Sequence, residues 1–190
     1  MFLLPTVPIG ILLGLLLGGR LGRLAYVRVS KPWLFYLALA LQIAAFPSLF
    51  VPWQVGTQAA TALSIASYGC LVVVAFANRH MFGMPIAAAG MLLNLAAILA
   101  NGGHMPALPS AMRDAGLAFS GVHNNSVADA SPNLAWFVDR WAAPHWVPFG
   151  NVYSVGDVLI AIGVMVTVAA AMGARLPFGS RAAVADGPPA

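Results

Sequence analysis

Glutamate is absent from this chain, and only 7% of its 190 residues are charged. A soluble domain draws about 25% of its residues from Asp, Glu, Lys and Arg, so an ordinary water-facing surface is excluded. Cysteine is nearly absent too. The single Cys70 lies inside an apolar run, which rules out an internal disulfide and a cysteine-rich metal site. The nine basic residues are scattered rather than clustered, so no nucleic-acid partner is expected. What the chain has in excess is apolar: 61% hydrophobic residues and a mean hydropathy of +0.86. Its solvent is expected to be lipid, and its length leaves room for one domain.

The apolar runs predict an all-α membrane protein with five transmembrane helices, at about 3–19, 32–53, 57–77, 84–101 and 154–174. The outer loop is 102–153, and 175–190 is a cytoplasmic tail with too little apolar surface to fold. In the first run the charges Arg20, Arg23, Arg28 and Lys31 follow the apolar stretch instead of preceding it, which predicts a retained span, not a cleaved signal. Gly10, Gly14, Gly18 and Gly22 recur every fourth residue and predict a close-packing seam. Trp33 and Trp53 bracket the second run as interfacial anchors, Pro47 predicts a kink, and Gln42 an interhelical hydrogen bond.

Two helices carry polar stripes. Thr57, Thr61, Ser64 and Tyr68 share a face of the third run, read as helix contact; Ala87, Gly90, Asn94, Ala97 and Asn101 share one of the fourth, which must face inward because an amide in lipid is costly. With the N-terminus outside, seven basic residues fall inside and two (Arg113, Arg140) outside. The positive-inside rule then sets the long loop outside and the C-terminus in the cytoplasm of a bacterial inner membrane.

The loop has its own pattern. Ser131-Pro132 reads as an N-cap followed by N1, and Leu134, Phe137, Val138 and Trp141 follow at helical spacing up to Pro144, predicting an amphipathic helix on the outer face with Asp139 and Arg140 off its apolar stripe. A shorter helix is expected over Ser110–Leu117. Trp136, Trp141, Trp146 and Phe149 would press the loop onto the helices as a lid. Gly102 is expected to end the fourth span as a left-handed cap; Gly102-Gly103 lacks the Lys-Ser/Thr of a phosphate loop.

Asp157 is the sole acid in a span, and intramembrane ionisable groups are functional candidates by default. Ser154-Val155-Gly156-Asp157 also has capping-box spacing, so a cap alone and a cap with a function both stand. Asp139 paired with Asp157 would make an aspartate dyad able to activate water. His104, His123 and His145 face outward without metal-ligand spacing, so no metal is expected; no matched histidines exist inside the helices for haem, and no cofactor is expected. Five spans do not divide into the repeats of a carrier, though Pro47 offers one helix break.

The turn Asn101-Gly102-Gly103-His104-Met105-Pro106, the step Ala115-Gly116-Leu117, and Asn151-Val152-Tyr153-Ser154-Val155-Gly156-Asp157 opening the last span resemble a bacterial membrane family, domain of unknown function 5317. The resemblance runs from the glycine-rich first span to residue 163 and implies a five-span architecture with no established activity. The segments Asn133–Arg140 and Asn151–Gly163 also look like the paired Asn and Asp motifs of lipoprotein signal peptidase, but each Asn stands six residues before its Asp, a wider spacing than in that family. The reading is a non-catalytic binding or assembly subunit with an outer polar pocket of Asn94, Asn101, His104, Asn151 and Asp157. Its companions are membrane lipids or a partner membrane protein. The alternatives are an outer-face aspartate hydrolase using Asp139 and Asp157, then a small-solute transporter component.

Overall fold

The computed structural model describes residues 5–45, 56–117, 126–144 and 152–177. Helices dominate: α1 (Thr6–Leu16), α2 (Trp33–Ala45), α3 (Thr57–Ala77), α4 (Met84–Ala100), α5 (Pro109–Asp114) and α6 (Val155–Ala171), with a 3₁₀ segment at Leu21–Tyr26. Among α1–α4 and α6 the one charged residue is Asp157. One helix, Gln58–Ala77 of α3, is long and apolar enough to cross a membrane; α1, α2, α4 and α6 are apolar but run 11, 13, 17 and 17 residues. Pro47 and Trp53, expected to kink and anchor the second run, lie outside the described residues.

The helices stand in a row: α1 packs on α6, α6 on α4, α4 on α3 and α3 on α2. They meet through close backbone contact and hydrogen bonds. Glycine supplies the contact here. A Cβ on Gly163 would strike the Ala87 backbone, and one on Gly90 the Gly156 carbonyl, so α4 and α6 touch backbone to backbone. Between α1 and α6, a Cβ on Gly10 would sit 3.0 Å from the Met165 Cα and one on Gly14 2.6 Å from the Met172 sulfur. The expected four-glycine seam is therefore two glycines long. α1 stops at Leu16, Gly18 turns the chain with φ +81°, and nothing lies within 4 Å of a Cβ on Gly22.

Hydrogen bonds tie the ends. Arg20 N–H donates to the Met172 carbonyl (2.9 Å) and Arg175 N–H to that of Leu17 (3.0 Å), so α1 and α6 run parallel. Asn78, fully buried after α3, accepts from the Ser30 N–H (2.7 Å) and donates to the Ser30 carbonyl (3.0 Å), clasping the chain ahead of α2. Gln42 accepts from the Ser67 hydroxyl at 2.6 Å, the interhelical bond its mid-helix position predicts. At the far end of α4, Gly102 has φ +70° and Gly103 N–H reaches back to the Ile98 carbonyl (2.8 Å), a Schellman closure. Gly116 and Leu117 close α5 in the same way, on Arg113 and Met112. Two of the motifs that carried the family resemblance are thus helix terminators.

The loop after α4 departs from expectation. The short helix forms as α5, but the amphipathic helix after Ser131 does not: those residues make turns and extended chain, and Leu134 sits at φ +52°, outside helical space. In its place, β1 (Met105–Ala107) pairs in parallel with β2 (Ser126–Ala128), and β3 (Trp141–Ala142) antiparallel with β4 (Val152–Tyr153). Asp139 N–H donates to the Pro106 carbonyl (3.0 Å), and its carbonyl accepts from Leu108 N–H (2.8 Å). The reason is hydrogen-bond completeness. Val138 and Asp139 are buried against the rest of the loop, and buried peptide groups must find partners; Pro106 of β1 and Leu108 just after it satisfy those of Asp139, at the cost of the local helix. Val138 and Met105 pack on Ala97 and Ile98 of α4, so the loop is a lid seated on the helices.

Candidate functional site

The site begins with the start of α6. Ser154 has extended backbone (φ −108°, ψ 170°) and caps the helix: the Asp157 N–H donates to Ser154 Oγ (3.1 Å), and Ser154 N–H donates back to Asp157 Oδ2 (3.1 Å). This is the capping box its spacing predicts, with the acid at the positive end of the helix dipole. Asn94 of α4, 1% exposed, then closes the arrangement. Its Nδ2 donates to Asp157 Oδ1 at 2.9 Å, and its Oδ1 accepts from the Ser154 hydroxyl at 2.9 Å. Between the two cap residues, Gly156 leaves the space for this approach, because a Cβ there would collide with the Asn94 amide oxygen.

Both Asp157 oxygens are therefore occupied by built-in donors, one from α4 and one from the cap. A carboxylate has about four acceptor sites, so one lone pair on each oxygen remains, and Asp157 is half-buried rather than sealed. Tyr68 of α3 is half-buried against Ala97, Ile98, Met105 and Val138, near Asn94 and in the field of Asp157 and Asp139. Ser64, one turn before it, is fully buried with no hydrogen-bond partner for its hydroxyl. Three helices thus converge on one polar point, through Tyr68, Asn94 and the Ser154–Asp157 cap.

Of the five expected pocket residues, Asn94 and Asp157 are joined directly. Asn101 lies two turns beyond Asn94, about 10 Å along the helix, in a separate network. Its Nδ2 donates to the Ala97 and Asn133 carbonyls (2.8 and 2.9 Å), its Oδ1 accepts from Asn133 N–H (2.8 Å), and Asn133 Nδ2 donates to the Ala100 carbonyl (3.0 Å). His104 is half-buried just past this tie, and Asn151 lies outside the described residues, as do His123, His145, Trp146 and Phe149. Asp139 is 5% exposed, buried within the lid. Among the described residues, no three His, Cys, Asp or Glu side chains gather where they could hold a metal ion.

Two participants cannot be paired from the sequence. Tyr68 belongs to the α3 stripe, and its spacing gives the face but not the partner. Asn133 carries no local signal, because its partner is 32 residues away. In the lid, the Arg140 guanidinium lies 4.4 Å from the Trp136 ring centre and 5.3 Å from that of Trp141, and Trp141 stacks on Tyr153 at 5.8 Å. That cation–π cluster fixes the tryptophans where the expected helix would have aligned them.

No curated protein and no solved structure matches the chain. A family model does, over residues 26–169, from the 3₁₀ segment to the last turn of α6. The match leaves out α1, which the resemblance had included, and takes in the lid, the Asn94–Ser154–Asp157 cluster and both glycine helix ends. On that match the chain belongs to the Family of unknown function (DUF5317).

Proposed function

We propose that the chain is a multi-pass protein of the bacterial inner membrane, N-terminus outside and C-terminus inside, that acts as a non-catalytic binding or assembly subunit through a polar pocket under its outer lid. The observation that carries this reading is the state of Asp157. Each Asp157 oxygen accepts one hydrogen bond from the protein itself, from Asn94 Nδ2 at 2.9 Å and from the Ser154 N–H at 3.1 Å, so both oxygens are held in place by α4 and the cap. What they retain is acceptor capacity, which suits recognition of a donor-bearing ligand or a partner helix.

The membrane reading is supported by the helix compositions and by charge. Arg20, Arg23, Arg28, Lys31, Arg79 and Arg175 lie toward one end of the helices, and Asp114, Asp129, Asp139 and Asp157 toward the other. Cytoplasmic ends of membrane proteins carry such a basic excess. Large apolar side chains also face outward along α1 and α2, Leu16 and Tyr36 among the most exposed at 75% and 74%.

The test is purification of the full chain from native membranes, with mass spectrometry of bound lipids and proteins. A companion at fixed stoichiometry, retained by the native chain and lost on Asn94→Leu, is the expected result; a chain that purifies alone would overturn the reading. The aspartate hydrolase is the second reading, on the two acids Asp139 and Asp157 standing at the same end of the helices. Cleavage of a lipoprotein precursor by the purified protein, abolished by Asp139→Asn, would put it first.

A further inference from the structure

A groove of 750 Å³ opens between the end of α3 and the start of α4, at the end of the helices opposite the lid. Its two halves differ in chemistry. At the mouth stand Arg79 and His80, both exposed; the wall behind them is Phe76 of α3 and Pro85, Ala89 and Leu92 of α4. The α4 residues recur at helical spacing, so they form one continuous strip about 10 Å long rising from the mouth. Arg79 Nη1 donates to the Phe76 carbonyl at 3.2 Å, which holds the guanidinium across the end of α3 and leaves most of its five donors directed elsewhere. The Ser30–Asn78 clasp fixes the chain carrying Arg28 and Lys31 next to this turn, and none of the described acids lies at this end.

From this we infer that the groove is a binding site for an anionic phospholipid, whose phosphodiester headgroup is held by Arg79 and His80 and whose acyl chain lies along the Pro85–Ala89–Leu92 strip. Charge complementarity selects this occupant. A zwitterionic lipid offers the same phosphate but brings a quaternary ammonium into a mouth that already holds Arg79 with Arg28 and Lys31 nearby, and a soluble phosphate would meet Arg79 but leave the strip uncovered. Basic pockets between helices at the cytoplasmic face hold anionic headgroups by this combination. The site rests on the membrane reading and is independent of the pocket beneath the lid.

The experiment uses the purified, delipidated full chain in mild detergent, with native mass spectrometry after addition of phosphatidylglycerol or phosphatidylcholine. The native chain is expected to retain phosphatidylglycerol preferentially, and Arg79→Gln/His80→Gln to lower its retention about fivefold or more. Ala89→Trp, which fills the strip and leaves Arg79 and His80 in place, is expected to reduce retention as well, whereas Arg175→Gln at the same end should not. Equal retention of both lipids, an unaffected Arg79→Gln/His80→Gln chain, or displacement by millimolar glycerol phosphate would overturn the proposal. Separately, release of the chain from membranes by alkaline carbonate would defeat the membrane reading; a chain that stays in the membrane fraction but shows no lipid preference defeats the groove alone.

Discussion

At the scale of single residues, the ring of Asn94, Ser154 and Asp157 makes a directional prediction. Both partners of the Asp157 carboxylate are donors, so an amide in its place can satisfy one and must turn its NH₂ toward the other. Asp157→Asn is therefore expected to lower stability by about 1–3 kcal/mol, the cost of stranding a buried donor, seen as a lower melting temperature of the purified chain in detergent. Exchanging the two residues, Asn94→Asp with Asp157→Asn, lets every donor find an acceptor again. The carboxylate moved onto α4 would accept from the Ser154 hydroxyl and from the amide moved onto α6, while that amide's oxygen would accept from the Ser154 N–H. Recovery of most of the lost stability in the exchanged chain, measured as a double-mutant cycle, is the expected outcome. A chain so rescued that still fails to replace the native protein in cells would show that the carboxylate has a task besides capping. The glycines allow a plainer comparison. Gly163→Ala must push α4 away from α6 and is expected to cost about 1–3 kcal/mol, while Gly22→Ala, with nothing within 4 Å of the added carbon, is expected to be near neutral by the same melting assay.

At the scale of elements, legibility follows locality. Helix ends are readable because their signals are contained in a few adjacent residues: the Ser154–Asp157 box and the Gly102 cap both form as their spacing predicts. The lid differs from expectation for the opposite reason. Leu134, Phe137, Val138 and Trp141 fit a helical period, yet the partner that decides their conformation is β1, some 30 residues earlier, and nothing near them announces it. Asn133 illustrates the same blindness, since its bonds to Asn101 and Ala100 are what turn the chain just before Leu134 leaves helical space. The lid should accordingly depend on that tie. Asn101→Ala removes three side-chain hydrogen bonds and is expected to raise amide exchange across 133–142 at least tenfold, about 1.4 kcal/mol of local opening, while the amides of α6 stay protected. Uniform loosening of lid and helices alike would instead mean that the tie supports the whole molecule.

At the scale of the whole molecule, the separation of charge makes topology measurable. With the native Cys70 changed to Ala, a cysteine introduced at Ser110 is expected to react with a membrane-impermeant maleimide on intact cells, and one at Arg79 only after the cells are opened. The reverse pattern would invert the proposed orientation and with it the assignment of the lid to the outer face.

The order of the row, α1–α6–α4–α3–α2, carries a further consequence for how the chain is made. α2, α3 and α4 meet partners that lie next to them in sequence, so this part can assemble as it leaves the ribosome. α1 is synthesised before α2–α4 and its partner α6 after them: Gly10 and Gly14 wait for Met165, Ala169 and Met172. While α2–α4 are being made, α1 has an open small-residue face, available to an insertase or a quality-control protease. Completion of α6 is then the event that removes that signal, and a chain arrested at residue 150 is expected to be cleared far faster than the full-length protein in a pulse-chase measurement, even though α2–α4 are complete.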